Sequence, residues 1–369
     1  MFKVIDLFSG CGGFSIGFKK AGFTITKAVE FDSEIAKSYA HNHKETIMIN
    51  KDIKDIDNAE NFSLNEADII IGGPPCQGFS MAGVRNRTGF IDDERNYLFK
   101  HYFNIVKLVK PKVFIMENVK GILSMKSGAI FKEILNIFSN EENFGGDRYF
   151  LHHIIVNSQD YGIPQNRERV IIIGVKNNDF NLETFISHTR KIIDSMDNTY
   201  FNKVNIRQAL GNLPLPSENG ECEELEVNNH YERYLASENR KTYNHIATKH
   251  SKKAIERMEK IKENENFKIL DEDINSIHSG SYGRLSYNGI APTITTRFDT
   301  PSGGRFIHPE YNRTITPREA ARIQSFPDDF EFLGSKSSIC KQIGNAVPVK
   351  ISYFYAVLVR GILDEFFIG

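Results

Sequence analysis

A segment rich in glycine and proline surrounds Cys76 and makes this cysteine the first candidate for a nucleophile. Residues 72–80 read GGPPCQGFS and directly follow an apolar strand predicted at residues 68–71. Two glycines and two prolines in succession pack poorly, but they fix a rigid and exposed turn. A single cysteine after a strand is more often an inert buried residue, whereas this turn presents the thiol beside backbone amides that can stabilise a thiolate. The context therefore favours Cys76 as a nucleophile.

A carboxylate follows the fourth predicted strand, and two guanidinium groups precede the sixth. Glu117 ends the strand predicted at residues 113–116, where it can form a nucleophile-and-acid pair with Cys76. Arg167 and Arg169 alternate in an extended segment, so their side chains should point at the same site. Guanidinium donors there suit a phosphate or a carbonyl oxygen. The alternative role for Glu117 is helix capping, and the alternative for the two arginines is a pair of surface salt bridges.

The first predicted strand, residues 4–8, leads into a glycine-rich turn. Its glycines let the backbone approach a ligand closely, and they are Gly10, Gly12 and Gly13. The spacing GxGG differs from the GxGxxG of dinucleotide-binding enzymes, which disfavours a pyrophosphate site. Glu30 ends the second strand, where an acidic residue commonly accepts hydrogen bonds from ribose hydroxyls, and Asp52 with Ile53 can hold an adenine ring. Helix N-capping is the alternative for Glu30, but the set favours an adenosine-containing cofactor.

An alternation of short apolar strands with amphipathic helices must position these residues. Near-continuous apolar strands separated by helices are typical of a parallel sheet covered on both faces. Ligands of such sheets bind beyond the carboxyl ends of the strands. Strands are predicted at residues 4–8, 24–29, 68–71, 113–116, 154–156 and 170–173, and helices at residues 33–42, 97–109, 130–138 and 349–367.

From residue 177 the sequence becomes polar and rich in turns, which predicts a second domain. A basic segment at residues 240–262 stands out there, although a solvated helix face explains it equally well. Regular structure returns at Thr316, where Thr, Pro and Glu at the N-cap, N1 and N3 positions form a capping box. We therefore predict a catalytic and cofactor-binding domain at 1–176, a second domain at 177–315, and a segment at 316–369 that completes the first domain.

Composition restricts the kinds of partner. The 369-residue chain has 46 Lys and Arg against 47 Asp and Glu, so binding to nucleic acid requires its cations to be concentrated on one face. The four cysteines lie far apart, without a CxxC pair or a histidine at metal spacing, so we expect no metal site and no disulfide. No signal-peptide pattern precedes the first strand, and charges interrupt the apolar C-terminal stretch. We expect a soluble cytoplasmic protein that binds no membrane.

The ordered set of motifs resembles the cytosine-5 DNA methyltransferases, particularly the bacterial modification enzymes. The resemblance covers nearly the whole chain, and the order of the motifs is more specific than any one of them. The motifs are DLFSGCGG at residues 6–13, Glu30, Asp52-Ile53, GGPPCQGFS, RNYLF at residues 95–99, ENV at 117–119, QNRER at 165–169, REAARIQSFP at 318–327 and QIGNAVP at 342–348. One mild departure is VPV at residues 347–349 in place of a frequent double proline.

The resemblance implies a class I S-adenosylmethionine-dependent methyltransferase, an α/β Rossmann-like fold with a mostly parallel sheet and helices on both faces, plus a smaller, irregular target recognition domain. Cys76 would attack C6 of cytosine, because C5 of unactivated cytosine is a poor nucleophile. Glu117 would hydrogen-bond N3 and the exocyclic amine, Arg169 would bind O2, and Arg167 would support Arg169 or a flanking phosphate. The cofactor, S-adenosylmethionine, would be bound by Phe8, Gly10, Gly12, Gly13, Glu30, Phe31, Asp52, Ile53, Pro75, Asn345 and Val347.

The resemblance also implies that double-stranded DNA is the partner. The target cytosine must be flipped out of the duplex to be reached, and the loop from residue 80 to about residue 100 would close over it. Residues 177–315 would form the target recognition domain, and the expected DNA contacts are Ser80, Arg85, Arg87, Thr293 and Arg297. We expect a monomeric restriction-modification methyltransferase of the bacterial cytosol or nucleoid, with any cognate restriction endonuclease acting independently.

Three other functions are compatible with parts of the sequence. A tRNA cytosine-5 methyltransferase would keep the chemistry, but the CQGFS loop and the long region between Arg169 and Thr316 favour DNA. A DNA-binding regulator built on an inactive methyltransferase would have lost Cys76, Glu117 or Arg169, and all three are present. A nicotinamide-dependent oxidoreductase would need GxGxxG and gives no reason for a Pro-Pro-Cys turn.

Overall fold

The computed structural model describes most of the chain, in residues 1–75, 97–223, 225–238, 240–272 and 279–368. Four of the predicted site residues lie outside these ranges, and their roles stay predictions. They are Cys76, Ser80, Arg85 and Arg87.

The described strands form a seven-stranded sheet and a separate two-stranded pair. They are β1 (Lys3–Leu7), β2 (Thr24–Val29), β3 (Ile47–Ile49), β4 (Ile69–Gly72), β5 (Val113–Val119), β6 (Tyr149–Asn157), β7 (Gln165–Asn166), β8 (Glu168–Lys176) and β9 (Ala291–Pro292). The large sheet has the order β3-β2-β1-β4-β5-β8-β6. Strands β1 to β5 pair in parallel, whereas β8 runs antiparallel to β5. The predicted α/β class with a mostly parallel sheet is confirmed.

Helices follow most of these strands. They are α1 (Gly13–Lys20), α2 (Ser33–Asn42), α3 (Leu98–Val109), α4 (Ala129–Ser139), α5 (Leu182–Met196), α6 (Ile206–Leu210), α7 (His230–Leu235), α8 (Lys252–Lys260), α9 (Pro317–Ile323), α10 (Lys336–Asn345) and α11 (Val349–Phe367). Helices α2 and α11 have the predicted bounds, and α3 and α4 begin within one residue of theirs. The predicted capping box is also present, because Thr316 accepts a hydrogen bond from the amide of Glu319 and the Glu319 carboxylate accepts one from the amide of Thr316.

Burial explains why the central strands are apolar along their whole length. Every residue of β4 is buried, as are residues 4–7 of β1, which agrees with a sheet that is covered on both faces. The Tyr102 hydroxyl of α3 donates to the carbonyls of Ile70 and Ile115, 3.1 Å and 3.0 Å away, and so anchors the helix on the sheet. On α1, a Cβ at Gly17 would lie 2.3 Å from the Ser352 hydroxyl, so the glycine permits the close approach of α11.

The chain divides into two compact units. Unit 1 contains Met1–Val156, Glu168–Asp197 and Ile351–Gly369, and unit 2 contains Asn157–Arg167 and Asn198–Lys350. These boundaries differ from the predicted divisions at residues 176 and 315. The assignment of residues 177–315 as a target recognition domain is functional and stays a prediction.

Helix α5 corrects the expectation that regular structure is lost from residue 177. Its 15 residues belong to unit 1, and its buried side chains include Leu182, Phe185 and Ile193 on one face. Asn181 caps its N-terminus by accepting a hydrogen bond from the amide of Thr184, 3.0 Å away. The apolar spacing and the cap were both present in the sequence, but the surrounding polar residues concealed them.

Unit 2 has short elements, and buried arginines bind its backbone carbonyls. The guanidinium of Arg284, whose exposed fraction is 4%, donates to the carbonyls of Met258, Ile261, His308 and Tyr311. Carbonyls that lack partners in a helix or a sheet must be satisfied in another way when they are buried. Side-chain hydrogen bonds therefore stabilise much of this unit.

In the described part of the chain, no single helix is both long and apolar enough to span a membrane. Helices α10 and α11, which are bent by 42° relative to each other, meet the criteria of length and composition only as a pair.

Candidate active site

Glu117, near the end of β5, and Arg169, near the start of β8, form an ion pair in unit 1. The Nε of Arg169 lies 3.0 Å from Oε1 of Glu117, and the two side chains are 15% and 11% exposed. The antiparallel register sets Arg169 opposite Val119, two residues beyond Glu117. Burial lowers the pKa of Arg169, while the Glu117 charge and hydrogen bond oppose this shift. The pair presents a carboxylate and a guanidinium side by side, and the roles of both residues at the substrate stay predictions.

The start of the Pro-Pro-Cys turn lies against the same carboxylate. A Cβ on Gly73 would be 3.2 Å from Oε2 of Glu117, so the glycine brings the turn close to the acid. The side-chain amide of Asn118 donates to the Pro74 carbonyl over 2.9 Å. Asn118 has no predicted role, although its place beside Glu117 in the sequence was a usable signal. Cys76, two residues after Pro74, lies outside the described residues.

Arg167 does not share the environment of Arg169. The sequence predicted that both side chains point at one site, but β7 ends at Asn166 and β8 begins at Glu168, so the strand is interrupted at Arg167. Arg167 is 1% exposed. Its Nη1 donates to the carbonyls of Ile294 and Gly344, 3.3 Å and 3.1 Å away, and its Nη2 to that of Ala346, 3.0 Å away. These contacts all lie in unit 2, and a direct role of Arg167 at the substrate stays a prediction.

The glycine-rich turn after β1 adopts the backbone conformation that its composition predicted. Gly10 and Gly12 have positive φ angles of 56° and 98°, a region that residues with a Cβ rarely adopt. A Cβ at Gly12 would lie 2.2 Å from Nε2 of His43, whereas one at Gly10 would meet no atom of the described residues within 4 Å. The backbone at Gly10 therefore faces open space and can approach a ligand. Phe8 also has a positive φ, of 56°, and Gly13 begins α1.

Glu30 follows the end of β2 and faces the turn. Its Oε2 accepts a hydrogen bond from the Gly10 amide over 3.0 Å, and its Oε1 accepts one from the Asp32 amide over 2.8 Å. Burial raises the pKa of Glu30, and these hydrogen bonds oppose the shift. Asp32 caps α2, so Glu30 is not the capping residue. The neighbouring Phe31 is 71% exposed.

The remaining predicted cofactor residues are divided between the two units. In unit 1, Asp52 is partly exposed and accepts a hydrogen bond from the Lys54 amide over 3.1 Å, while Ile53 is 3% exposed and packs in the core. Pro75 is partly exposed. In unit 2, Asn345 is the last residue of α10 and Val347 lies just before α11.

The two described candidates for DNA contact lie just after β9 in unit 2. The Thr293 hydroxyl donates to the carbonyl of Asn166 over 2.9 Å, and the Arg297 side chain is exposed. Strand β9 pairs with β7, which sets residues 293–297 beside the QNRER motif. Both segments contain predicted site residues, but no pattern in the sequence indicates that the two segments pair.

A buried acid beneath the glycine-rich turn was not singled out as a functional residue in the sequence. Asp6, at 1% exposure, accepts a hydrogen bond of 2.6 Å from the Ser15 hydroxyl, which also contacts the Tyr39 hydroxyl at 2.7 Å. Burial raises the pKa of Asp6 to about 7, although the Ser15 hydrogen bond opposes the shift. The DLFSGCGG motif contains this acid, but its protonation depends on burial, which the motif does not reveal.

The fold and the site together define a class I methyltransferase: a seven-stranded sheet, a glycine-rich turn after β1, an acid after β2, and a paired glutamate and arginine at the edge of the sheet. The chain belongs to the C-5 cytosine-specific DNA methylase family, whose model matches residues 2–358. It is therefore a DNA cytosine-5 methyltransferase. Its family consists of S-adenosylmethionine-dependent enzymes.

Similar proteins agree with this assignment. The chain is 36% identical to the type II methyltransferase M.DdeI of Desulfomicrobium norvegicum, over 94% of this chain and 85% of that protein. It is 35% identical to the type II methyltransferase M1.HphI of Haemophilus parahaemolyticus, over 93% and 82%. A crystal structure from Escherichia coli, described as a DNA modification methyltransferase encoded within a prophage, superposes with a TM-score of 0.75 at 30% identity, covering 99% of this chain and all of that one.

Proposed function

We propose that this protein methylates C5 of a flipped-out cytosine in a specific double-stranded DNA sequence, through a covalent adduct between Cys76 and C6. The observation that carries the proposal is the Glu117–Arg169 pair beside the turn that leads to Cys76. A carboxyl group and a guanidinium side by side match the hydrogen-bonding edge of cytosine, which offers N3, the exocyclic amine and O2 within a short distance.

The residues after β1 and β2 fit S-adenosylmethionine. Glu30 can accept hydrogen bonds from ribose hydroxyls, and the open space at Gly10 allows the backbone to approach the methionine portion. The exposed Phe31 ring provides an apolar surface for an adenine, and Asp52 can hold that ring from its partly exposed position. S-adenosylmethionine supplies an electrophilic methyl group when it is bound.

The chemistry begins with activation of cytosine. The Cys76 thiolate adds to C6, and the electron pair of the C5–C6 double bond moves toward C5 and N3. Glu117 hydrogen-bonds N3 and the exocyclic amine and can transfer a proton to N3, while Arg169 donates to O2, so both stabilise the electron-rich ring. After C5 is methylated, solvent water acting as a base removes the C5 proton, the N3 proton returns to Glu117, the C5–C6 double bond re-forms, and the Cys76 thiolate leaves.

The target cytosine must flip out of the DNA duplex to enter this site, because its C5 atom cannot be reached while the base is stacked. Ser80, Arg85 and Arg87 follow Cys76 in the sequence and are proposed to contact the DNA around the flipped base. Residues 177–315, with Thr293 and Arg297, are proposed to read the target sequence. The type II methyltransferases among the relatives support a role in a restriction-modification system. The enzyme is proposed to act as a monomer in the cytosol, because one active site and one recognition domain suffice, and any cognate endonuclease is proposed to act independently.

The test is a labelling experiment with methyl-labelled S-adenosylmethionine, unmethylated genomic DNA and bulk tRNA. We expect label in DNA as 5-methylcytosine, and no label with Cys76→Ala. Label in tRNA alone would contradict the choice of substrate but keep the chemistry. Label in neither polymer, with cofactor binding retained, would indicate an inactive DNA-binding protein.

A further inference from the structure

Two segments of unit 2 that are about fifty residues apart in sequence are held together by buried polar contacts. The first is the DNA-side segment, residues 293–297, which the proposed function places at the DNA. The second is the cofactor-side segment, residues 343–347, which contains Asn345 and Val347. The residues that connect the two segments, and the residues they contact, all belong to unit 2.

Arg167 forms the first connection. A single nitrogen, Nη1, donates to the Ile294 carbonyl of the DNA-side segment and to the Gly344 carbonyl of the cofactor-side segment, and Nη2 donates to the Ala346 carbonyl. Hydrogen bonds from a charged group are stronger than those between neutral groups, and this guanidinium is almost fully buried. Arg167 therefore fixes the backbone on either side of Asn345 relative to Ile294.

Two glutamines form a second, parallel connection. The Ile294 amide donates to Oε1 of Gln165 over 2.9 Å, and Nε2 of Gln165 donates to Oε1 of Gln324 over 2.9 Å. Gln324 in turn donates through Nε2 to the Ile343 carbonyl. Both glutamine side chains are buried at 0% exposure. Ile294 is thus linked to the cofactor-side segment through its amide as well as through its carbonyl.

The two backbones also touch directly at Gly344. A Cβ on this residue would lie 2.6 Å from the carbonyl carbon and oxygen of Thr295 and 2.7 Å from the amide nitrogen of Thr296. These neighbours are main-chain atoms, so they cannot move aside as the end of a flexible side chain can. Any side chain at Gly344 would push the DNA-side segment away.

We propose that Arg167, Gln165 and Gln324 are positioning residues that couple binding of DNA at the DNA-side segment to binding of S-adenosylmethionine at the cofactor-side segment. This inference rests on the proposed function. A ligand that shifts one segment also shifts the other through the shared contacts, so the two ligands favour the same arrangement of both segments. The coupling is reciprocal, and each ligand raises the affinity of the other by the same factor.

Calorimetry measures this factor directly. S-adenosylhomocysteine, which supports no methyl transfer, is titrated into the protein alone and into the protein saturated with sheared unmethylated genomic DNA. We expect DNA to tighten the wild-type Kd by about five-fold or more, the lower end of typical couplings. In Arg167→Lys the factor should fall below about two-fold, because an ammonium cannot reproduce the rigid set of donors. The reciprocal titration of DNA with and without S-adenosylhomocysteine should give the same factors.

Gly344→Ala provides an independent test that leaves every side chain of the connection intact, and it too should abolish the coupling. The matched controls are Arg305→Lys and Gly289→Ala, both in unit 2. Arg305 binds the carbonyls of Glu265 and Arg284, and a Cβ on Gly289 would meet its neighbours at an ordinary 3.6 Å. Both controls should keep the wild-type factor.

The outcomes separate this inference from the proposed function. If the wild-type protein binds S-adenosylhomocysteine but not DNA, the proposed function fails. If it binds both and shows no coupling, or if Arg167→Lys and Gly344→Ala keep the wild-type factor, the inference fails while the proposed function stands. Equal loss of coupling in the two controls would also contradict the inference, because it would indicate general destabilisation of unit 2.

Discussion

The two units hold their functional residues in different ways. In unit 1 the strand register sets Glu117 beside Arg169, and the backbone hydrogen bonds of the sheet need no side chains. In unit 2 the elements are short, and buried arginines satisfy carbonyls that no helix or sheet pairs. These arginines are Arg167, Arg284, Arg318 and Arg322.

This difference in how the backbone is satisfied determines where polar side chains are available for chemistry. A sheet satisfies its own backbone, so a charged side chain at the end of a strand remains free to bind a substrate. An irregular region uses its charged side chains to satisfy its backbone, and their removal leaves buried groups without partners. Substitution of a charged residue should therefore reduce activity in unit 1 and stability in unit 2.

The largest expected effect is on catalysis in unit 1. Glu117→Gln should lower kcat by about 10³-fold, within the usual range for a lost general acid, because an amide cannot give a proton to N3. The unfolding midpoint in urea should change much less than in Arg322→Met, because the amide oxygen of Gln can still accept a hydrogen bond from Arg169, and the affinity for S-adenosylhomocysteine should stay close to that of the wild type. Initial rates of methyl transfer to DNA measure the effect.

The neighbouring Glu168→Gln is the matched control for Glu117→Gln. Glu168 forms an ion pair with Lys120, and both side chains are about half exposed, so its neutralisation should leave kcat unchanged. If Glu117→Gln unfolded unit 1 instead, the contrast between the two units would be wrong.

The next effect is on stability in unit 2. Arg322 donates through Nε and Nη2 to the two oxygens of Asp328, both at 2.7 Å, and the two side chains are 0% and 4% exposed. Arg322→Met should lower the free energy of unfolding by about 3–5 kcal/mol, because it leaves a buried carboxylate without its partner. Urea denaturation measures the loss.

The double variant Arg322→Met with Asp328→Leu tests the cause. Removing both charges should recover much of the loss, since a buried ion pair can often be replaced by apolar side chains. A double variant as unstable as the single one would indicate that the Arg322 contact with the Ala209 carbonyl, 3.1 Å away, matters more than the ion pair.

The same comparison explains which parts of the fold and of the candidate site could be predicted from the sequence. The apolar strands and the motifs after them determine which residues gather at the edge of the sheet, so Glu117, Arg169 and Glu30 were identifiable. Arg167 stands two residues from Arg169 in the same motif, yet its guanidinium binds Ile294 and Gly344. Those partners are over a hundred residues away, and no local pattern indicates which carbonyls an irregular region leaves unpaired.

The pH dependence of stability should differ in sign between a buried acid of each unit. Burial raises the pKa of Asp6 to about 7 in unit 1. Burial also acts on Glu319 in unit 2, but the hydrogen bonds and charge of Arg313 outweigh it and lower that pKa to about 2. The stabilising form is therefore the protonated one for Asp6 and the ionised one for Glu319.

Two neutral variants isolate these contributions. The stability of the wild type relative to Asp6→Asn should be greatest below pH 4 and fall by on the order of 4 kcal/mol as the pH rises through 7. Relative to Glu319→Gln it should be greatest above pH 5 and fall by on the order of 3 kcal/mol as the pH drops toward 2. Urea denaturation across this pH range measures both, and curves of the same sign would contradict the assignment.

The smallest effect compares one helix cap from each unit. Asp32 caps α2 by accepting hydrogen bonds from the amides of Glu34 and Ile35, at 3.0 Å and 3.4 Å, and it is partly exposed. Asp32→Ala should lower the free energy of unfolding by about 1 kcal/mol, the usual loss for a cap. Thr316 is fully buried, and its hydroxyl also contacts Nδ1 of His245 at 2.9 Å.

Thr316→Ala should therefore lower the free energy of unfolding by about 2 kcal/mol, because it removes the cap and the hydrogen bond to Nδ1 of the buried His245, which keeps only its contact with the Pro214 carbonyl. Thr316→Ser, which keeps the hydroxyl, should recover most of the loss. Hydrogen exchange of the α2 and α9 amides measures both caps in their own helices. An equal loss at the two positions would contradict this expectation. It would show that buried polar neighbours add nothing to the effect of the cap in unit 2, so that the contrast between the units is confined to the arginines.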